Sequence, residues 1–238
     1  MAIYLCHEQP DLLEHDTRII DGRPGAVLLA RSALHPGGGG QESDRAILEH
    51  AGGQYRIVGV RQEGGLYWHL LDTEAVLEPG SAWVQVDAEC RSILAQLHTA
   101  THIMNALVFG KLAGALVTGA QINGDGTARM DSDLPDVNNN LLRDIEPEIN
   151  DVIRQSLPVN ATYVPVAEAH ETPGLLRSLS VTPPPTPDGR CRIIDIGDLD
   201  RQGCGGTHLT NTGQSRPVRI LKIENKGRRN RRIRIALV

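Results

Sequence analysis

Two short stretches of the chain carry donor side chains at the same interval. In HTATH, His98 and His102 stand four apart, and in CGGTH so do Cys204 and His208. Taken alone, CGGTH has four readings: a structural turn, half of a disulfide, a nucleophile, or half of a metal site. Taken alone, HTATH fits two half-buried histidines that share a helix face. Residues four apart on a helix lie a few ångströms from each other, within reach of one ion. Together the two pairs make a His, His, Cys, His set, which is the donor chemistry of a zinc-type site. Two distant pairs also suit a site that only the fold assembles. Gly205 and Gly206 have a reason in this reading. Without Cβ atoms the backbone wraps tightly, both donors point at one ion, and room is left for a substrate.

The elements that must position these donors can be read from periodicity. HTATH lies inside DAECRSILAQLHTATHIMNALVFGKL, where Ile93, Leu94, Leu97, Thr101, Met104, Leu107, Val108 and Leu112 fall at helical spacing. CGGTH follows CRIIDIGD, which reads as a strand, as does VNATYVPVAEA. LLRDIEPEINDVIRQSL (141–157) reads as a second amphipathic helix, with Pro147 ending a first segment or starting the main one. TPPPTPDG (182–189) is a stiff loop. The last stretch, RPVRILKIENKGRRNRRIRIALV, reads as a closing β-hairpin that turns at Asn225–Gly227. Before the long helix the pattern is different. GAVLLARSAL, YRIVGVRQ and LYWHLLD are short, apolar or β-branched runs separated by Gly-rich turns, as in a small barrel or sandwich. The expected organisation is α+β, with a small β-barrel over residues 1–86 and an α+β domain over 87–238.

Composition narrows the function classes. Aromatic residues are only 3 % of the 238, which argues against a face built on base stacking. No stretch approaches about 18 uninterrupted apolar residues, so no transmembrane helix is expected. MAIYLCHEQPDLLEHD lacks the basic and apolar regions of a secretory signal, and a cytoplasmic location is expected. In that reducing setting Cys6, Cys90, Cys191 and Cys204 are not expected to pair, so each is either buried and inert or chemically engaged. The net charge of −5 is uneven. From Gly213 onward nine Lys or Arg face one acid, a net of +8, leaving 15 bases against 28 acids, or −13, in the first 212 residues. A basic end on an acidic body reads either as an anion-binding surface or as a solvated edge that resists aggregation. The run HPGGGGQESD is no phosphate loop, because no Gly-Lys-Ser/Thr follows it. Neither a dinucleotide fingerprint nor a GxSxG elbow is present.

These motifs carry a family resemblance. HTATH with the distant CGGTHLTNTG resembles the editing domain of alanyl-tRNA synthetase and the free-standing AlaX proteins, which hydrolyse mischarged alanine tRNA. LHPGGGGQESD looks like the Gly-rich segment that precedes that domain, usually closer to F-Y-P-E-G-G-G-Q-x-x-D. NKGRRNRRIRIAL looks like the family's K-G-x-x-N-x-R-I-x-I close. The likeness covers nearly the whole chain in the right order, and no ATP-binding or aminoacylation module fits in this length. It is closest to the mid-sized AlaX class, a β-barrel followed by an editing domain of the threonyl/alanyl-tRNA synthetase type. Two departures stand out: Leu34–His35 replace an aromatic pair, and Gly37 replaces an acid.

The resemblance implies a deacylase that removes a wrong amino acid, usually serine and possibly glycine, from the acceptor end of alanine tRNA. It implies one zinc ion per chain on His98, His102, Cys204 and His208. Such an ion can polarise the ester carbonyl, lower the pKa of a water, or hold the substrate's amino group. Thr118 in LVTGAQI matches a threonine that recognises the serine hydroxyl, a group whose absence in alanine would leave its partner unpaired. Gln41 matches a glutamine that reaches the pocket, and Gly205 and Gly206 line it. Arg219, Lys222, Lys226, Arg228, Arg229 and Arg231 would meet the tRNA backbone. Two other readings compete: a zinc-stabilised tRNA-binding module without catalysis, and a hydrolase of small esters or amides on the same fold.

Overall fold

The computed structural model describes residues 4–112, 114–135 and 137–238. They fall into two compact units, residues 1–38 with 42–92, and residues 39–41 with 93–238. The first opens with a single turn, α1 (Leu5–Glu8), and is otherwise β. Its strands are β1 (Glu14–Arg23), β2 (Ala26–Leu29), β3 (Ala46–His50), β4 (Gly53–Glu63), β5 (Leu66–Leu71) and β6 (Gly80–Val86). They close into a barrel in the order β1-β2-β5-β4-β3-β6. Alternation along the strands sends one face inward. Ala82, Val84 and Val86 of β6 meet Ala46 and Leu48 of β3 inside, with Ile19, Val27 and Ile57. The apolar run GAVLLARSAL yields only the four residues of β2.

One polar group is buried in this unit at high stakes. The Asp44 carboxylate has no exposed surface and takes the Arg91 guanidinium, with Nε 3.0 Å from Oδ1. Arg91 Nη2 also donates to the Ala33 carbonyl at 2.8 Å, and the His35 N–H donates to Asp44 Oδ2. These bonds tie together the segment where Leu34–His35 depart from the family pattern.

The second unit is α+β. Helix α2 (Ala88–Lys111) is capped by Asp87, whose carboxylate accepts the Cys90 N–H at 3.0 Å. It is followed by β7 (Val117–Ile122), β8 (Thr127–Asp133), α3 (Asn139–Arg143), α4 (Ile145–Arg154), β9 (Val159–Pro165) and α5 (Val166–Glu171). Then come β10 (Arg190–Ile196), β11 (Asp200–Gly203), β12 (Val218–Lys226) and β13 (Asn230–Leu237). Two sheets form, one in the order β11-β10-β9 and one in the order β12-β13-β8-β7. Helix α4 is amphipathic, burying Ile145, Ile149, Val152 and Ile153 on one face. Helix α2 is not: from Leu94 to Ala106 every residue but Gln96, His98 and their polar neighbours is apolar, yet all are buried.

Three sequence expectations shift. The stretch 141–157 is two helices broken at Asp144, and Pro147 sits in the first turn of the second, where its missing N–H costs nothing. The strand expected over VNATYVPVAEA ends at Pro165, which cannot donate to a ladder, and VAEA becomes helical. The closing hairpin turns over 227–229, because Lys226 still pairs with Asn230.

Replacing Asp44 with alanine would strand a buried guanidinium, which costs about 3–5 kcal/mol. Urea unfolding of Asp44→Ala should therefore show a clearly lower midpoint than the wild type. Coincident curves would mean that this ion pair contributes nothing to the barrel.

Candidate metal centre

Four side chains from two places meet in the second unit: His98 and His102 one turn apart on α2, and Cys204 and His208 just past β11. Their donor atoms all lie within 4.8 Å of one another, a group that could hold a metal ion. Cys204 Sγ is 3.3 Å from His98 Nε2 and 3.2 Å from His208 Nε2. Bond lengths of about 2.3 Å to sulfur and about 2.1 Å to nitrogen put tetrahedral neighbours about 3.5 Å apart, so the donor set fits zinc without large movement. The imidazoles crowd together, with His98 and His208 ring centroids 4.4 Å apart and those of His102 and His208 4.6 Å apart.

Each ring is held from behind. His98 Nδ1 faces Gln41 Oε1 at 2.7 Å, so its proton sits there and Nε2 turns toward Cys204. His208 Nδ1 lies 3.3 Å from the Thr99 hydroxyl, which also accepts the Leu209 N–H. His102 Nδ1 meets Gln202 and Asp200. Charge follows from this crowding. Burial pushes the Cys204 thiol up, but the three imidazoles pull it further the other way, leaving it well below its ordinary value. Burial pushes His102 down, yet the Cys204 sulfur and the Asp200 carboxylate raise it to about 9. Burial keeps His208 well below its usual value. The crowding of imidazoles around Cys204 thus favours its thiolate form. Cys6, Cys90 and Cys191 are buried and form no disulfide.

The loop that delivers Cys204 and His208 is fixed by two contacts that composition does not reveal. Arg192, buried on β10, donates from Nη1 to the carbonyls of Cys204 and Gly206, each at 3.0 Å. Gln41 reaches the same loop, accepting the Thr207 N–H at 3.0 Å and donating to its hydroxyl at 2.9 Å. The four-glycine run makes that reach feasible. Gly40 lies so close to β7 that a Cβ would fall 2.6 Å from the Ala120 carbonyl oxygen, at a φ of +93°. Its own carbonyl accepts the Ile122 N–H at 2.8 Å.

The two glycines of CGGTH differ. A Cβ on Gly206 would fall 2.0 Å from His98 Cε1 and 2.7 Å from Gln41 Oε1, whereas one on Gly205 meets only Pro184 Cδ at 3.7 Å. The tight wrap therefore depends on Gly206, and Gly205 is not sterically required.

Other sequence candidates are placed elsewhere. Thr118, on the bulge of β7, donates its hydroxyl to Asn230 Oδ1 at 2.8 Å and is not among the four donors' hydrogen-bond partners. Arg219, Lys222, Lys226, Arg228 and Arg229 are exposed on the closing hairpin. Arg231 is not: it is 8 % exposed and its Nη1 points to the carbonyls of Gly227, Arg228 and Asn230. Its backbone alternation turns it inward, where it holds the hairpin turn. Part of the remaining charge is neutralised locally. Arg229 pairs with Asp133, and Glu224, drawn down to about 2 first by Arg234, also pairs with Lys222 and Lys226. Sequence reasoning missed Asp200, Gln202, Asn105, Thr99 and Arg192. The alternation D-R-Q-G before Cys204 puts Asp200 and Gln202 on one face of a strand, but does not mark that face as buried.

Residues 191–234 match the family described as the threonyl and alanyl tRNA synthetase second additional domain. Over 223 residues, 92 % of each chain, the sequence is 30 % identical to the alanyl-tRNA editing protein AlaX-M of Saccharolobus solfataricus. It is 34 % identical over 226 residues to AlaX-M of Methanosarcina barkeri, covering 89 % of this chain and 88 % of that one. Against the alanine–tRNA ligase of Korarchaeum cryptofilum it is 31 % identical over 91 % of its own length, but over only 24 % of the ligase. The chain belongs to the AlaX-M alanyl-tRNA editing proteins.

Gly206→Ala should reduce divalent-metal uptake by about tenfold or more, because a loop displaced from His98 no longer presents all four donors. Gly205→Ala should bind like the wild type. Metal content after equilibrium dialysis compares them, and equal uptake by both variants would refute the distinction.

Proposed function

We propose that this chain is a trans-editing hydrolase that cleaves the aminoacyl ester of mischarged alanine tRNA, with serine as the first substrate and glycine as the second. The observation that carries this reading is the His98, His102, Cys204, His208 cluster in a chain of the AlaX-M family. Zinc would be held by these four residues, one ion per chain. When bound, it supplies a Lewis acid and a fixed point around which the ester end of the tRNA can be oriented. With four protein donors around it, the ion would chiefly order the site.

The chain's own groups supply the rest. Gln41 and Thr99 orient the His98 and His208 rings. Arg192 and the Gln41 amide hold the Cys204–His208 loop, and the Gly206 N–H donates to Cys204 Sγ at 3.3 Å. Thr118 keeps lone pairs on its oxygen while donating to Asn230, so it can accept a hydrogen bond from a serine hydroxyl. Alanine would leave that acceptor unpaired, which is the form of discrimination that reaches the largest ratios. Arg219, Lys222, Lys226, Arg228 and Arg229 give the closing hairpin a phosphate-facing surface, whose contribution would fall with salt. Residues 87–238 form the catalytic portion and 1–86 the accessory barrel, and the site of action is the cytoplasm. No helix among the described residues is long and apolar enough to cross a membrane.

Incubation with seryl-tRNA specific for alanine should release serine well above the buffer rate. His102→Ala should lose that activity by orders of magnitude. If the wild type, loaded with zinc, leaves the ester intact while binding the tRNA, the chain is a binding module and not a deacylase. Cys204→Ser should lose zinc stoichiometry before it loses its fold, as followed by metal analysis alongside circular dichroism. Full zinc in that variant would remove Cys204 from the ligand set.

A further inference from the structure

Behind His102 lies a buried polar network that the four donors do not account for. The Asp200 side chain, at the start of β11, has no exposed surface. Its Oδ1 is 2.7 Å from Arg177 Nη1. Its Oδ2 accepts Gln202 Nε2 at 2.9 Å and lies 3.5 Å from His102 Nδ1. Gln202 Nε2 is also 2.8 Å from that ring nitrogen, and Gln202 Oε1 accepts Asn105 Nδ2 at 2.9 Å. Arg177 is itself fixed: its guanidinium lies 4.2 Å from the Phe109 ring centroid, and its Nε donates to the Gly174 carbonyl at 2.8 Å. The Asp200 carboxylate and the Gln202 amide therefore meet at one imidazole nitrogen, with Arg177 and Asn105 behind them.

The other two rings are treated differently. His98 is backed by a neutral amide oxygen and His208 by a hydroxyl. Only His102 has a carboxylate behind it. A buried carboxylate is costly unless it is paired and hydrogen-bonded. The Arg177 pair accounts for its charge, but not for the turning of Oδ2 toward His102.

The protonation of the ring supplies the reason. An imidazole that offers Nε2 to an ion carries its proton on Nδ1 and needs an acceptor there. Asp200 Oδ2 and the Gln202 amide are the groups in reach. Gln202 Nε2 already donates to Asp200 Oδ2 at 2.9 Å, and turning that amide over would set two oxygens against each other. The carboxylate is therefore the acceptor left for an Nδ1–H, and Arg177 pairs with its other oxygen.

We propose that Asp200 is the positioning carboxylate of the metal centre: its Oδ2 holds the Nδ1–H of His102 and so aims the Nε2 lone pair at the ion. This rests on the reading that the cluster holds zinc. Asp200 touches no substrate, and its effect is on how firmly the ion is held and how His102 is turned.

The test uses the full chain. Zinc affinity is measured by chelator competition for wild type and Asp200→Asn, with circular dichroism confirming that the variant folds. Asp200→Asn should bind zinc about 10- to 100-fold more weakly. Equal affinity would overturn the proposal while leaving the zinc reading intact, whereas a wild type that binds no zinc would overturn both. Should the variant not fold, the wild type still decides. In long-range 1H–15N spectra of the zinc-loaded protein, His102 should show a proton on Nδ1 that is shifted far downfield, and a metal-bound Nε2. An Nδ1 that lacks this proton, or coordinates the ion itself, would refute the assignment.

Discussion

Burial of helix α2 on nearly every side is the constraint on which the second unit depends. A helix with a solvent-facing stripe can leave its polar residues to water. This one cannot, so Gln96, His98, Thr99, Thr101, His102 and Asn105 all need partners inside the protein. Thr101 finds its own helix, donating to the Leu97 carbonyl at 2.8 Å. The others reach out, and their partners build the site. His98 takes Gln41, Thr99 takes the His208 loop, His102 and Asn105 take β11, and Gln96 accepts the Arg216 N–H at 3.0 Å. The need for satisfaction along one helix therefore gathers three separate chain segments around one cluster.

That gathering demands close approach, and close approach demands glycine at two points. Gly206 lets the Cys204–His208 loop lie flat against the His98 ring. Gly40 lets the chain run along β7 so that Gln41 arrives at both the ring and the loop. Segment 39–41 belongs to the second unit although its neighbours on both sides belong to the first. The pattern explains why a Gly-rich run without phosphate-loop chemistry precedes a glutamine: its function is proximity, and the anion-binding reading fails because acids follow it.

Electrostatics divides the molecule by task. Inside, Asp44 pairs with Arg91 and Asp200 with Arg177, the Cys204 sulfur sits among its imidazoles, and Arg192 and Arg231 are met by backbone carbonyls. On the closing hairpin Lys222, Lys226, Arg229, Arg232 and Arg234 are tethered by Asp131, Asp133 and Glu224, so the surface presented to a polyanion is weaker than the net of +8 in that stretch suggests.

The sequence by itself determined the class of fold, the paired donors and the family. Each is written locally, as four-residue spacing, as a change from short β-rich runs to a long helical period, and as short motifs in order. His98 with His102, and Cys204 with His208, needed no tertiary information to be found as pairs. What the fold alone decided is how these pairs meet and what stands behind them. Asp200 and Gln202 precede Cys204 by a few residues and were visible, yet nothing local distinguishes them from an ordinary exposed Asp and Gln. Arg231 reads in sequence as one more basic hairpin residue, and only the register with β8 turns it inward. Gly205 and Gly206 are chemically identical, and only the approach of His98 separates them. Burial and long-range contact have no local spelling, because they depend on which distant surface a side chain is pressed against.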